Sequence, residues 1–262
     1  MIKNFYGDEI NLIRSLLEVD DMCCLTLGFM ETMVKFILRN GKFEEEWKDN
    51  AENTNFPPDF YSDKYNMMIE VMRVNDHEDF NGKNIYYARE NLILKDLNKL
   101  YPSNTGYAMI VPATHIANDK FNALKTEEDH NIYYYNKQFI KTIEHHIKQI
   151  PKYRKNHPNK KLIFFIHDES TSYVELPNCL INRNKIWEDG YFPNTREHFP
   201  YLDEKFMTIF KDSDIDIVIW FMPFKMINGR FVEPMAIIFS PKKISKLKFV
   251  NYVHNCIIPG EL

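Results

Sequence analysis

Residues 58–72 read Pro58-Asp59-Phe60-Tyr61-Ser62-Asp63-Lys64-Tyr65-Asn66-Met67-Met68-Ile69-Glu70-Val71-Met72. The stretch divides into two extended segments around a polar turn. The proline pair at 57–58 forces an extended entry. Residues 65–74 are almost wholly apolar, the pattern of a strand buried on both faces. One acid interrupts that run, at Glu70. An ionised carboxylate inside an apolar strand is costly unless it is paired or bound to a metal, so Glu70 needs a partner.

Asp59 is the first candidate partner, and the turn decides whether the two acids meet. A two-residue turn at 63–64, or a four-residue turn at 62–65, pairs Tyr61 with Asn66. Asp59 then lies opposite Met68. Because side chains alternate faces with period two, Asp59 and Glu70 become diagonal neighbours on one face, roughly 7–8 Å apart at Cα. Two carboxylates so placed suit one Mg²⁺. A three-residue turn would set Asp59 opposite Met67 or Ile69 and send the acids to opposite faces. The plain alternative is a turn made by Asp59 after Pro58, with Glu70 paired to a lysine or arginine.

Outward from this hairpin, helical and extended patterns interleave. Asp8 predicts an N-cap, with Ile10, Ile13, Leu16 and Leu17 as the buried stripe. Asp20-Asp21 predicts a break, and a second helix follows from Met22 to Asn40-Gly41. Residues 42–55 are polar, and FEEEW there reads as a strand or a helical turn. Residues 90–100 predict a helix and 107–111 a strand. Thr126 predicts the cap of a long helix that Pro151 ends. Residues 162–166 (LIFFI), 215–222 and 235–239 predict further strands, and 249–253 an edge strand. Asp203 caps a short helix. The expectation is an α/β fold, a mixed β-sheet flanked by helices. It forms one domain over residues 1–262, with an irregular insertion around 173–200.

Composition narrows the function classes. The chain has 262 residues, 44% hydrophobic and 27% charged, which is ordinary for a globular protein. A net charge of −4 argues against a wholly basic nucleic-acid coat, while leaving room for a local basic groove. The basic stretches at 152–161 and 242–248 read as a solvated loop and a solvated strand edge. Four cysteines, two of them adjacent at Cys23-Cys24, predict reduced thiols rather than a disulfide framework or a zinc site. The first residues hold no apolar signal core. The apolar runs are too short to span a bilayer, so no membrane partner and a cytoplasmic location are expected. Dinucleotide, P-loop, H-E-x-x-H and G-x-S-x-G signatures are absent.

The hairpin resembles the core of the PD-(D/E)XK nuclease superfamily, with Pro58-Asp59 as its PD and Glu70-Val71-Met72 as its (D/E)-x-K. The resemblance covers about 15 residues and a compatible element order. It implies a restriction-endonuclease-like α-β-β-β-α-β core, two acids on Mg²⁺, a lysine that orients the attacking water, and nucleic acid as the partner. The lysine position is occupied by Met72, and Arg73 should point to the other face. Lys64 in the turn and Lys35 on the preceding helix are the candidate replacements. Glu31, one turn before Lys35, resembles the extra helical acid that some members use. If no lysine replaces Met72, the implied protein is a non-catalytic relative. The whole chain is also similar to uncharacterised proteins of low-GC bacteria.

A second candidate site follows the LIFFI strand at His167-Asp168-Glu169-Ser170. The carboxyl ends of buried strands are where α/β folds place ligands. A histidine and two acids suit metal binding or acid–base work. A simple strand-to-loop transition is the alternative. Asp76-His77-Glu78-Asp79 reads as a solvated loop. Adjacent His145 and His146 point about 100° apart on a helix, which suits no shared ion.

Overall fold

In the computed structural model, residues 1–40, 42–50, 57–77, 86–108, 130–177, 195–227, 230–232 and 234–260 are described. The strands run β1 (Ile2–Asn4), β2 (Cys24–Thr26), β3 (Lys48–Asp49), β4 (Phe60–Ser62), β5 (Met67–Val74), β6 (Gly106–Ala108) and β7 (Lys161–Asp168). They continue as β8 (Tyr173–Glu175), β9 (Arg196–His198), β10 (Ile217–Phe221), β11 (Met226–Ile227), β12 (Arg230–Phe231), β13 (Ala236–Phe239) and β14 (Ile257–Pro259). Helices α1 (Glu9–Glu18), α2 (Phe29–Asn40), α3 (Phe43–Glu46) and α4 (Tyr86–Leu100) precede one long helix, Ile132–Asn156.

The three apolar runs lie side by side. β5, β7 and β10 are parallel and form the middle of a seven-stranded sheet of order β2-β13-β10-β7-β5-β4-β3. On one side β4 and β3 complete an antiparallel meander with β5. On the other, β13 is antiparallel to β10, and β2 is parallel to β13. This is the expected mixed α/β sheet flanked by helices.

Alternation along the central strands builds two cores. Met68, Met72, Phe164, Ile166 and Trp220 face the long helix and pack with Tyr135, Phe139 and Ile143. Ile69, Val71, Ile163, Phe165 and Ile219 face the opposite way, onto Leu12, Ile13 and Leu16 of α1 and Val34 and Leu38 of α2. A strand buried on both faces has no polar side, hence the unbroken apolar runs.

Local signals and tertiary contacts disagree in several places. Residues 24–26, expected as helix, become β2, because the edge of β13 offers Ala236–Ile238 as a parallel partner. The hairpin turn spans Asp63–Asn66, since Ser62 pairs with Met67 and Tyr61 with Met68 rather than with Asn66. Asn66 closes it in the left-handed region at φ 53°, which asparagine tolerates. Residues 249–253 form no strand, and the basic 242–248 stretch lies mostly in the 3₁₀ helix Pro241–Lys246. Part of the expected strand at 107–111 appears as β6, paired with β1 outside the main sheet.

Thr126, the expected cap, lies outside the described residues, as does most of the 173–200 insertion. The long helix starts at Ile132, where the Asn131 side chain accepts the Tyr133 N–H at 2.8 Å. It runs through Pro151 to Asn156, held on either side of the proline by buried Ile150 and Tyr153. Asn131→Ala is expected to cost about 1 kcal/mol of stability, read from thermal denaturation. Cys23 and Cys24 are free, but Cys256 is disulfide-bonded. This corrects the expectation of reduced thiols throughout. Folding brings Cys256 beside a second sulfur, a proximity that spacing along the chain does not reveal. No helix among the described residues is long and apolar enough to cross a membrane.

Candidate active site at the β4–β5 edge

β4 is shorter than β5 and stops one residue after Asp59 in the direction away from the turn. With Phe60 paired to Ile69, the register continues to Asp59 opposite Glu70. Extended one residue past the last pair, the register sets the two acids level with each other rather than diagonal. The shift from the expected pairing is two residues, so they keep the same face. Beyond this point β5 has lost its neighbour, and the Asp59 carboxylate takes the neighbour's place. Its Oδ2 accepts the Val71 N–H at 2.7 Å.

Glu70 is buried. Its Oε1 lies 2.8 Å from His146 Nδ1 and accepts the Tyr153 hydroxyl at 2.8 Å. Its Oε2 is buried and has no hydrogen-bond partner. Burial pushes the Asp59 carboxyl up to about 8, and the charges of Glu70, Glu9 and Asp49 add to the rise, against the Val71 N–H that lowers it. Glu9, in the first turn of α1, is likewise raised by burial and by Asp8 and Asp49. Burial also raises the Tyr153 hydroxyl, as does the charge of Glu70.

The proposed lysines and the helical acid lie elsewhere. Lys64 pairs with Glu46 in the exposed turn. Lys35 pairs with Asp21 at 2.9 Å. Glu31 is buried against Lys243 at 2.7 Å, on α2, which packs on β2 and β13 at the other end of the sheet. Glu31 is thus corrected as the third acid, and Glu9 is the helical carboxylate near Asp59. Met72 is buried in the core. Arg73 points the other way, to Glu169 at 2.8 Å and Glu90 at 3.0 Å.

His146, Tyr153 and Glu9 were missed as site residues. A signal existed for the first two. The long helix buries Tyr135, Phe139, Ile143, Ile150 and Tyr153 as one stripe, and His146 falls on that stripe, seven residues before Tyr153. A polar residue in an apolar stripe needs a partner on the facing strand, and Glu70 is that strand's one acid. Glu9 carried no such mark.

Two cavities lie beside this edge, and neither Asp59 nor Glu70 lines either of them. One of about 250 Å³ is bounded by Glu9, Val71, Arg73 and His146 among others. The other, about 970 Å³, carries Lys3, Asp49 and Lys95. Gly7 and Glu9 line both, so the two adjoin.

The His167-Asp168-Glu169 candidate is split by the alternation of β7. Glu169 Oε1 lies 3.3 Å from His167 Nδ1 and takes the Arg73 guanidinium. Asp168 lies among Tyr135, Trp220, Ser170 and Lys225 instead. All three are fully buried, and none lines either cavity. Asp76 and His77, expected in a solvated loop, are buried as well. Val74 pairs with Asp168, so the chain leaves β5 inside the fold. Glu78 and Asp79 lie outside the described residues. Comparison with protein-family models, with curated proteins and with solved structures finds no match.

Proposed function

We propose that the protein is a divalent-cation-dependent phosphodiester hydrolase acting on nucleic acid, with Asp59 and Glu70 as the cation-binding pair. The observation that carries this reading is the buried, unpartnered Glu70 Oε2 on a strand where the extended register sets a second carboxylate level with it. A hard cation such as Mg²⁺ takes carboxylate oxygens, and it fits this donor set. When bound, it would polarise a phosphoryl oxygen and lower the pKa of a coordinated water.

The residues of the chain divide the remaining work. Tyr153 and His146 fix Glu70 Oε1, which leaves Oε2 oriented. The Val71 N–H fixes Asp59. Glu9 can assist the pair from α1. Partly exposed His146 stands at the cavity wall, where it can exchange a proton with bound substrate. Lys3 and Lys95 are the two lysines lining the larger cavity, beside Asp8, Glu9, Asp49 and Glu90. Support also comes from the order of elements: helices, the β3-β4-β5 meander, then, after α4 and β6, the long helix and β7 parallel to β5. With α4 and β6 as additions, that order is compatible with the α-β-β-β-α-β core the hairpin resembles.

The test is calorimetric titration with Mg²⁺ and Mn²⁺, together with cleavage of single- and double-stranded DNA and RNA. Glu70→Gln is expected to abolish cation binding and lower cleavage on the order of 10³-fold, about 4 kcal/mol of transition-state stabilisation. Equal binding by wild type and Glu70→Gln would remove the reading. A second reading, a nucleic-acid-binding protein without catalysis, is favoured by Met72 at the lysine position and by the engaged Lys64 and Lys35. It predicts cation binding with no cleavage in either protein.

A further inference from the structure

We propose that Asp76, His77 and His130 form a second metal site, for a zinc-like divalent cation, that ties the end of β5 to the start of the long helix. It is independent of the carboxylate pair. Asp76 is six residues beyond Glu70, roughly 20 Å further along an extended chain. An isolated antiparallel bridge joins His77 to His130, which stands just before the Asn131 cap.

The ligand atoms converge. Asp76 Oδ1 is 2.9 Å from His130 Nδ1 and 3.9 Å from His77 Nε2. One ligand atom from each of the three residues lies within 4.8 Å of the others, the only such trio among the described residues. Donors around one ion at about 2.0–2.1 Å sit about 3–3.5 Å from each other, so these separations bracket those of a shared ion. The imidazoles are not stacked: their centroids are 4.4 Å apart at 61°, which lets both rings aim at one point.

Asp76 is the independent sign of a ligand. It is fully buried, and its two oxygens differ. Oδ2 accepts the Tyr173 hydroxyl at 2.6 Å and the Thr171 N–H at 3.1 Å. Oδ1 is buried between the histidines, 2.9 Å from His130 Nδ1, and makes no hydrogen bond of good geometry. A ligating carboxylate is held in this way, with one oxygen anchored by outer partners and the other directed at the ion. Two imidazoles and one carboxylate favour zinc and its neighbours over Mg²⁺ or Ca²⁺. The three residues are at most 2% exposed. The site is therefore closed, and its role is to clamp two chain segments rather than to admit substrate.

The experiment uses the full chain, stripped with a chelator and then titrated with Zn²⁺, and with Co²⁺ as the spectroscopic probe. Wild type is expected to take up one equivalent of Zn²⁺, rise in Tm, and give a Co²⁺ visible band of low-symmetry N/O coordination. His130→Asn is expected to lose the band. Tyr173→Phe keeps all three ligands and is expected to weaken Zn²⁺ binding by about 10–100-fold. Glu70→Gln is expected to leave it unchanged. The proposal is overturned if wild type takes up no stoichiometric Zn²⁺, or if uptake survives His130→Asn unchanged. It is also overturned if the Co²⁺ band vanishes in Glu70→Gln, which would put the ion at the other site. Should His130→Asn fail to fold, the wild-type Co²⁺ titration and Tyr173→Phe decide between the same outcomes.

Discussion

Asp59→Asn is expected to make the metal-free protein more stable at pH 8, by about 2–4 kcal/mol, while removing its response to Mg²⁺. Burial raises the folded-state pKa of Asp59 to about 8, with Glu70 beside it, against about 3.9 in an unfolded chain. Between these values the folded state holds a proton that the unfolded state has released. Stability therefore falls as pH rises through that window. The cost is absent below pH of about 4 and complete above about 8. The full shift would correspond to about 5 kcal/mol at 1.36 kcal/mol per unit. Partial exposure of Asp59 reduces this to the range given. Asparagine cannot ionise, and its amide oxygen still accepts the Val71 N–H. The wild-type denaturation midpoint should thus decline from pH 5 to pH 8, and that of Asp59→Asn should decline less. Added Mg²⁺ should restore the wild type most at pH 8 and leave the variant unmoved. Parallel pH profiles for the two proteins would show that no like-charge crowding exists at this edge.

The second large effect concerns Asp168, a member of the second candidate site that is held in a buried network. Asp168→Ala is expected to destabilise the protein by about 3–5 kcal/mol, read from urea denaturation. The carboxylate accepts the Tyr135 hydroxyl, the Trp220 indole N–H at 2.9 Å, and Ser170 through both N (3.0 Å) and Oγ (2.6 Å). Lys225 Nζ lies 3.8 Å away and donates to the Thr171 carbonyl at 2.8 Å, with the Tyr135 ring 4.6 Å from it. Truncation removes a carboxylate beside a buried ammonium and leaves several donors without this acceptor. Each loss costs more than the net worth of the bond that was broken. Asp168→Asn keeps the volume and one acceptor oxygen, and should fall between the two. Glu44→Ala, which breaks the exposed pair with Arg14, is the matched surface control and should cost less than about 1 kcal/mol. Similar losses for Asp168→Ala and Glu44→Ala would show that the buried network contributes nothing special.

The two acids at positions 59 and 70 illustrate how far a hairpin can be read in advance. Their shared face follows from parity: any turn that shifts the register by an even number keeps it. Their distance does not follow, because two- and four-residue turns satisfy the same pattern. The turn at Asp63–Asn66 is selected by groups remote in sequence. Lys160 holds Asp63, and Asn66 donates to the Asn159 carbonyl at 3.2 Å. The helical acid shows the reverse error. Glu31 had the helix and the spacing, but α2 packs at the far end of the sheet, where Lys243 neutralises it. Glu9 lies on another helix, and its charge is felt at Asp59 with no motif to mark it.

Alone, the chain determined the periodic features: double-sided apolar runs for β5, β7 and β10, the stripe of the long helix, and the mixed α/β class. Those depend only on side chains two or about four residues apart, distances that backbone geometry sets locally. Tertiary structure decided the rest. It made residues 24–26 a strand, joined His77 to His130 across 53 positions, linked Cys256 into a disulfide, and sent Asp168 and Glu169 to different neighbours. Each is a pairing between remote segments, whose free energy comes from burying surface and satisfying polar groups that no local window contains.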